Sequence, residues 1–195
     1  MRLASASADC SLRLWDLQSG GAALAVLEGH RAKVSAVASV RAAVGGPTWL
    51  VSGALDTTLR LWDERGRPLE RPCHVLEHGC GVLCVAWFVP RRALSRRDSD
   101  GGGGDGRGGG GGGHASAVCA LSGGEDGVLR VWRLSEPLSE ASSGAAELRG
   151  HTDRVDALTT CTCPAAASSR ALVLAVSGSA DKTVRAPHLA PPPPL

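Results

Sequence analysis

Residues 50–63 read LVSGALDTTLRLWD. A serine (Ser52), an aspartate four residues on (Asp56) and a tryptophan six beyond that (Trp62) frame the stretch Leu59-Arg60-Leu61. Its alternation is that of a β-strand with one buried face. The same spacing recurs at Ser5, Asp9 and Trp15 in LASASADCSLRLWD, and at Ser122, Asp126 and Trp132 in ALSGGEDGVLRVWR. A fourth copy, AVSGSADKTVRA, has Ser177 and Asp181 but reaches Pro187 where tryptophan is due. Such self-similarity specifies one supersecondary unit stacked several times, an array rather than a single-core domain.

A second mark lies between the copies. Gly29 and His30 stand in LEGHRAKV, and Gly150 and His151 in LRGHTDRV. With its Gly-His pair, Ser-x3-Asp turn and closing Trp-Asp, the chain resembles the WD-repeat family. That resemblance covers nearly all of the chain outside 90–114 and 186–195. It implies an all-β fold, a β-propeller of four-stranded antiparallel blades. It also implies that His30, Ser52, Asp56 and Trp62 form a buried structural network. In such a network the aspartate holds the histidine, the histidine reaches the serine, and the serine meets the indole N–H. The physical need is general, because buried polar groups must be paired. The other copies are unequal. The first has Ser5, Asp9 and Trp15 without a histidine. The third, with Ser122, Asp126 and Trp132, has His78-Gly79 where Gly-His is expected. The fourth has His151, Ser177 and Asp181 without a tryptophan.

Alternation and β-branched content place strands at 34–40, 48–54, 58–63 and 73–77 in one complete unit, and near 82–89, 116–123, 128–133 and 145–149 in a second. Partial units have strands near 2–7, 11–16 and 22–28, and near 154–160 and 171–178 with part of a third. The expected blades are therefore about 1–28 (partial), 32–78, 81–150 and 154–185 (partial), a propeller segment over 1–185. A propeller avoids exposed edges by closing a ring, so two full and two partial blades form an incomplete ring and point to a piece of a longer product. Residues 91–114, dense in glycine and arginine, are expected to be a disordered insertion, since glycine at that density does not offset its ordering entropy. The proline-rich tail 186–195 is expected to be disordered and to end the last blade, because proline does not join a central ladder.

Composition narrows the function classes. The 195 residues carry a formal net charge of +2, which gives no global drive toward nucleic acid or anionic membrane. No run approaches the roughly 20 apolar residues of a membrane span, and residues 1–20 lack the apolar core of a signal peptide. Seven cysteines follow no disulfide framework, which suits a reducing cytoplasm or nucleus. With one Phe and no Tyr, the core must be aliphatic, with tryptophan supplying the bulk.

Several constellations invite sharper readings. His30, Ser52 and Asp56 have the residue types of a hydrolase triad, but catalysis needs an exposed nucleophile beside an oxyanion hole. A triad-like set that recurs along the chain is explained by repeated structure. Cys73, His74, His78, Cys80 and Cys84 suggest zinc by composition, without any Cys-x2-Cys knuckle; small apolar cysteines in strands are the commoner case. Cys161 and Cys163 have no matching second pair. Arg91, Arg92, Arg96 and Arg97 read as solvated loop charge, and Pro191 to Pro194 as a short polyproline run. Trp62-Asp63-Glu64-Arg65 resembles the Trp-Asp-x-Arg box of substrate receptors that dock on the damaged-DNA-binding adaptor of cullin-type ubiquitin ligases, with Asp63 and Arg65 as partner-binding residues. The expected function is a non-enzymatic protein-interaction scaffold without a cofactor. Its partners would be other proteins, with self-association open to it through blade edges.

Overall fold

Each copy of the repeated phrase turns back at its aspartate. The following residue has positive φ in all four: 70° at Cys10, 66° at Thr57, 73° at Gly127 and 67° at Lys182. A turn closed by one left-handed residue is a common hairpin connection. The aspartate Oδ1 accepts the N–H two residues on each time, from Ser11 (2.9 Å), Thr58 (3.1 Å), Val128 (3.1 Å) and Thr183 (2.8 Å). This side-chain turn is local, so each hairpin is specified by its own residues.

The structure is a computed structural model that describes residues 2–18, 20–41, 48–63, 74–88, 118–134, 145–163, 172–186 and 188–189. The first sheet holds β1 (Arg2–Ala6), β2 (Leu12–Asp16) and β3 (Ala22–Leu27) in that order. The second runs β4 (Val34–Arg41), β5 (Thr48–Ala54), β6 (Thr58–Asp63), β7 (His74–Glu77). The third runs β8 (Val82–Phe88), β9 (Val118–Gly124), β10 (Leu129–Leu134), β11 (Ala145–Leu148). The fourth holds β12 (Val155–Cys163), β13 (Leu172–Ser179) and β14 (Val184–Arg185), with β15 (His188–Leu189) also paired to β13. All pairings are antiparallel. The fold class is the expected one: all-β, in four antiparallel sheets of three or four strands, consistent with part of a propeller. The insertion 91–114 lies outside the described residues.

One boundary differs from the sequence reading, which ends the last sheet at Arg185. Ser177 pairs with Arg185 and Gly178 with Val184; Leu174 then pairs with His188 and Val173 with Leu189, in the same register. β14 and β15 thus share the third position of the sheet. That position is the edge of the β12-β13-β14 order among the described residues.

The sheets stack through their first strands: β4 against β1, β8 against β4, β12 against β8. Leu12, Leu14 and Leu27 of the first sheet share a core with Val34, Leu50 and Trp62 of the second. Val51, Leu59 and Leu61 share the next with Val82, Val85 and Trp132. Side chains tie neighbouring first strands together. Trp87 Nε1–H donates to the Ala38 carbonyl (3.0 Å) and Thr160 Oγ1–H to the Trp87 carbonyl (2.7 Å), while the Ser35 hydroxyl donates to the Val82 carbonyl.

Glycine after the repeated serine makes room for the next sheet. A Cβ at Gly123 would sit 2.7 Å from Cys84 Sγ and 2.8 Å from Val155 Cγ1, whereas one at Gly178 would meet only Ala157 Cβ at 3.8 Å. Gly123→Ala is therefore expected to cost about 1–3 kcal/mol by overpacking, and Gly178→Ala to be close to neutral. Urea midpoints of the two variants check this; equal losses would show that sheet contact is not what demands the glycine.

Candidate functional site

The second sheet carries the repeated residues in one connected chain. Ser52 on β5 lies opposite Arg60 on β6, and Leu50 opposite Trp62, so all four side chains share a face. Trp62 Nε1–H donates to Ser52 Oγ (2.9 Å), the Ser52 hydroxyl to His30 Nε2 (2.8 Å), and His30 Nδ1–H to Asp56 Oδ2 (2.9 Å). The directions follow because an indole only donates and a carboxylate only accepts. Asp56 Oδ2 also accepts the Arg31 N–H (2.8 Å), which fastens the loop before β4 to the turn before β6. Burial would raise the Asp56 pKa, but the Arg31 N–H, the Thr58 hydroxyl and His30 together hold it below the usual carboxylate range. Burial pushes the His30 pKa down against the pull of Asp56, which favours the neutral ring that the chain of donations requires.

The fourth sheet repeats the polar half of this set. His151 Nδ1 meets Asp181 Oδ2 and His151 Nε2 meets Ser177 Oγ, both at 2.9 Å. The Thr183 hydroxyl, with His151 and two backbone N–H groups, holds Asp181 below the ordinary carboxylate range. No indole joins. The first and third sheets keep the other half: Trp15 Nε1–H donates to Ser5 Oγ (2.9 Å), and Trp132 Nε1–H to Ser122 Oγ (2.8 Å).

In the third sheet the histidine leaves the chain of bonds. His78 is buried against Trp132, ring centroids 6.1 Å apart, with Nδ1 3.2 Å from the Cys80 carbonyl oxygen. Its Nε2 is buried without a hydrogen-bond partner among the described residues. Asp126 gives its Oδ2 to Arg130 instead, at 2.6 Å. Although burial would raise it, that contact above all keeps the Asp126 pKa down at about 2. Sequence reasoning missed this arginine position. Arg13, Arg60, Arg130 and Arg185 each follow the repeat aspartate by four residues and lie opposite the repeat serine. The signal was present in the regular Asp-x3-Arg spacing.

Distances alone would suit nucleophilic catalysis, since the Ser52–His30–Asp56 order is that of a hydrolase triad. Burial speaks against it. Ser52 and Ser177 are 0% exposed, and the Ser52 oxygen is occupied by the indole N–H. Such a serine serves as a pin between strands. Replacing Asp56 by alanine should strip His30 Nδ1 and the Arg31 N–H of their acceptor and cost about 1–3 kcal/mol. An unchanged unfolding midpoint would contradict the network role.

Of the cysteine and histidine set near residue 80, Cys73 lies outside the described residues. Cys84 is buried on β8, its thiol directed at the Gly123 and Val155 carbonyls and its pKa pushed up to about 12 by burial. Burial likewise raises the Cys80 thiol. Neither is poised as a thiolate. Among the described residues no three His, Cys, Asp or Glu side chains are grouped to hold a metal ion. Asp63 closes β6 opposite Trp49, while Arg65, like Arg91 to Arg97 and Pro191 to Pro194, lies outside the described residues. No helix among them is long and apolar enough to cross a membrane.

Comparison with known proteins agrees with this geometry. Residues 1–16 and 21–63 match the family described as WD domain, G-beta repeat. Over 95 residues, 48% of the chain, the sequence is 35% identical to the Ribosome biogenesis protein WDR12 homolog of Nematostella vectensis. The chain spans 22% of that relative's length. Four antiparallel sheets bearing one recurring phrase, a family match over the first two of them and the likeness to this relative together support a WD-repeat family.

Proposed function

We propose that the chain is a non-enzymatic scaffold that presents its sheet-end turns to protein partners, and that those partners act in ribosome assembly. WD repeats are interaction modules in general. The observation that carries the reading here is the pinning of the loops before β4 and β12 to the hairpin turns of the same sheets. Asp56 receives the Arg31 N–H and Asp181 the Thr152 N–H (3.1 Å). Exposed Arg31 and Leu55 in the second sheet, and Thr152 and Lys182 in the fourth, stand on backbone fixed in this way. Rigid elements that order exposed loops are the usual architecture of a binding surface. The assignment to ribosome assembly is supported by the likeness to the Nematostella protein, over the stretch of chain that matches. Sedimentation of the tagged chain through a sucrose gradient tests it: co-migration with ribosome precursor particles is expected, and migration with free protein alone would overturn it.

Self-association is a second reading. Leu3, Leu24 and Val26 of the first sheet and Val184 of the fourth are 51%, 48%, 40% and 74% exposed, and exposed apolar faces favour association. Light scattering after size exclusion would show multiples of the 19.9 kDa chain; a single monomer peak would dismiss it. The ubiquitin-ligase reading rests on the Trp62–Arg65 stretch of sequence alone.

A further inference from the structure

Tryptophan fills one recurrent slot in the second and third sheets. Trp62 shares a core with Leu12 and Leu27, which face each other across β2 and β3. Trp132 shares a core with Leu59 and Leu76, the corresponding pair across β6 and β7. The next such pair is Leu129 and Leu148, across β10 and β11. Here the residue at the tryptophan spacing is Pro187, and a cavity of about 340 Å³ opens, lined by this leucine pair with Arg149, His151, Arg185 and Ala186. That volume lies within the range of ligand pockets, about 300–1,000 Å³.

The walls show what the slot accepts. His151 stands where His30 stands beside Trp62, whose rings lie 6.5 Å apart and tilted. Leu129 and Leu148 offer the apolar contact that buries Trp62 and Trp132 in the preceding slots. Charge adds a second demand. Arg13, Arg60 and Arg130 each approach the aspartate four residues before them, at 3.8, 3.9 and 2.6 Å. Arg185 pairs with no carboxylate among the described residues; its Nη1 would lie 3.0 Å from a Cβ at Gly150, and both residues line the cavity. Arg149, 73% exposed at its side chain, pairs only with Glu147 (2.6 Å) among the described residues.

We propose that this cavity is a docking slot for an aromatic side chain of a partner protein, flanked in the partner by a carboxylate. The ring enters between Leu129 and Leu148 beside His151, and the carboxylate meets Arg185 and Arg149. Ser177 is fully buried and does not line the cavity, so apolar contact and guanidinium stacking hold the ring. The proposal deepens the scaffold reading by naming a site and the chemistry of its partner.

Fluorescence anisotropy of the full chain with a labelled acidic peptide carrying one tryptophan tests it. The expected results are saturable binding, a loss of about tenfold or more when the peptide tryptophan becomes alanine, and a similar loss in Arg185→Glu. Pro187→Trp, which restores the tryptophan of the repeat spacing as a competitor for the slot, should abolish binding. Circular dichroism verifies that the variants fold, and Arg149→Glu, at an exposed site, replaces Arg185→Glu if that variant does not. Equal affinity for the tryptophan and alanine peptides, displacement by inorganic phosphate alone, or undiminished binding to Pro187→Trp would overturn the proposal. So would peptide binding about tenfold tighter after removal of residues 190–195, which would make the proline-rich tail the occupant. Peptide failure with co-sedimentation retained would overturn the slot alone and leave the scaffold reading standing.

Discussion

Trp62→Ala should destabilise the chain by about 3–5 kcal/mol, the cost of deleting a large ring from a packed core. Trp62 is 0% exposed and shares one core with Leu12, Leu14 and Leu27 of the first sheet and with Val34 and Leu50 of its own. Its loss also leaves Ser52 without the indole donor at 2.9 Å. Trp15 makes the same bond to Ser5, also at 2.9 Å, but is half-buried. Trp15→Ala should therefore cost much less. Urea unfolding of both variants separates the contributions: equal losses would mean that the serine bond, rather than burial, carries the tryptophan's value.

Acid should weaken the third sheet through His78. Burial above all, with the Arg130 charge nearby, lowers its pKa from 6.5 to about 4, while Asp126 opposes the shift. The folded pKa lies below the unfolded one, so the neutral ring is the folded form. Above about pH 6.5 both states hold it neutral and nothing is lost. Between about pH 6.5 and 4 the unfolded chain binds a proton that the folded chain refuses, and stability falls by about 1.4 kcal/mol per unit, about 3 kcal/mol in all. Below that window both states are protonated and the slope from this group vanishes. His78→Phe keeps a ring against Trp132 and removes the titration. Thermal melts at neutral pH and at about pH 5 should show a smaller acid loss in the variant than in the parent. Equal losses in the two proteins would place the acid sensitivity elsewhere, with His30 the next candidate because burial lowers its pKa too.

The architecture was legible because the same residues that mark the repeat also set its local geometry. Asp56 and its three counterparts cap their own turns with Oδ1, and Ser-x9-Trp spacing, laid on an antiparallel ladder, brings serine and indole to one face. Neither step needs knowledge of distant residues. What the second carboxylate oxygen does is not local. In the second and fourth sheets it goes to histidine, in the third to Arg130, and in the first it lies 3.8 Å from Arg13. Spacing along the chain does not rank competing donors, so the exchange of His78 for Arg130 needed coordinates. The pairing of His188 and Leu189 with β13 was not legible for a related reason: the sequence does not say whether the third position of the last sheet is central or an edge.

Among the described residues, the bonds that tie first strands together, from Trp87 to Ala38 and from Thr160 to Trp87, link neighbouring sheets of the stack. Stability in such an array propagates as a series of nearest-neighbour couplings. A sheet coupled on both sides opens only when the series breaks, whereas one coupled on a single side opens by itself at lower free energy. Amide exchange should therefore form a gradient along the stack: β5 and β9 slowest, β2 and β13 faster, and a substitution in one sheet should alter exchange most in the sheets beside it.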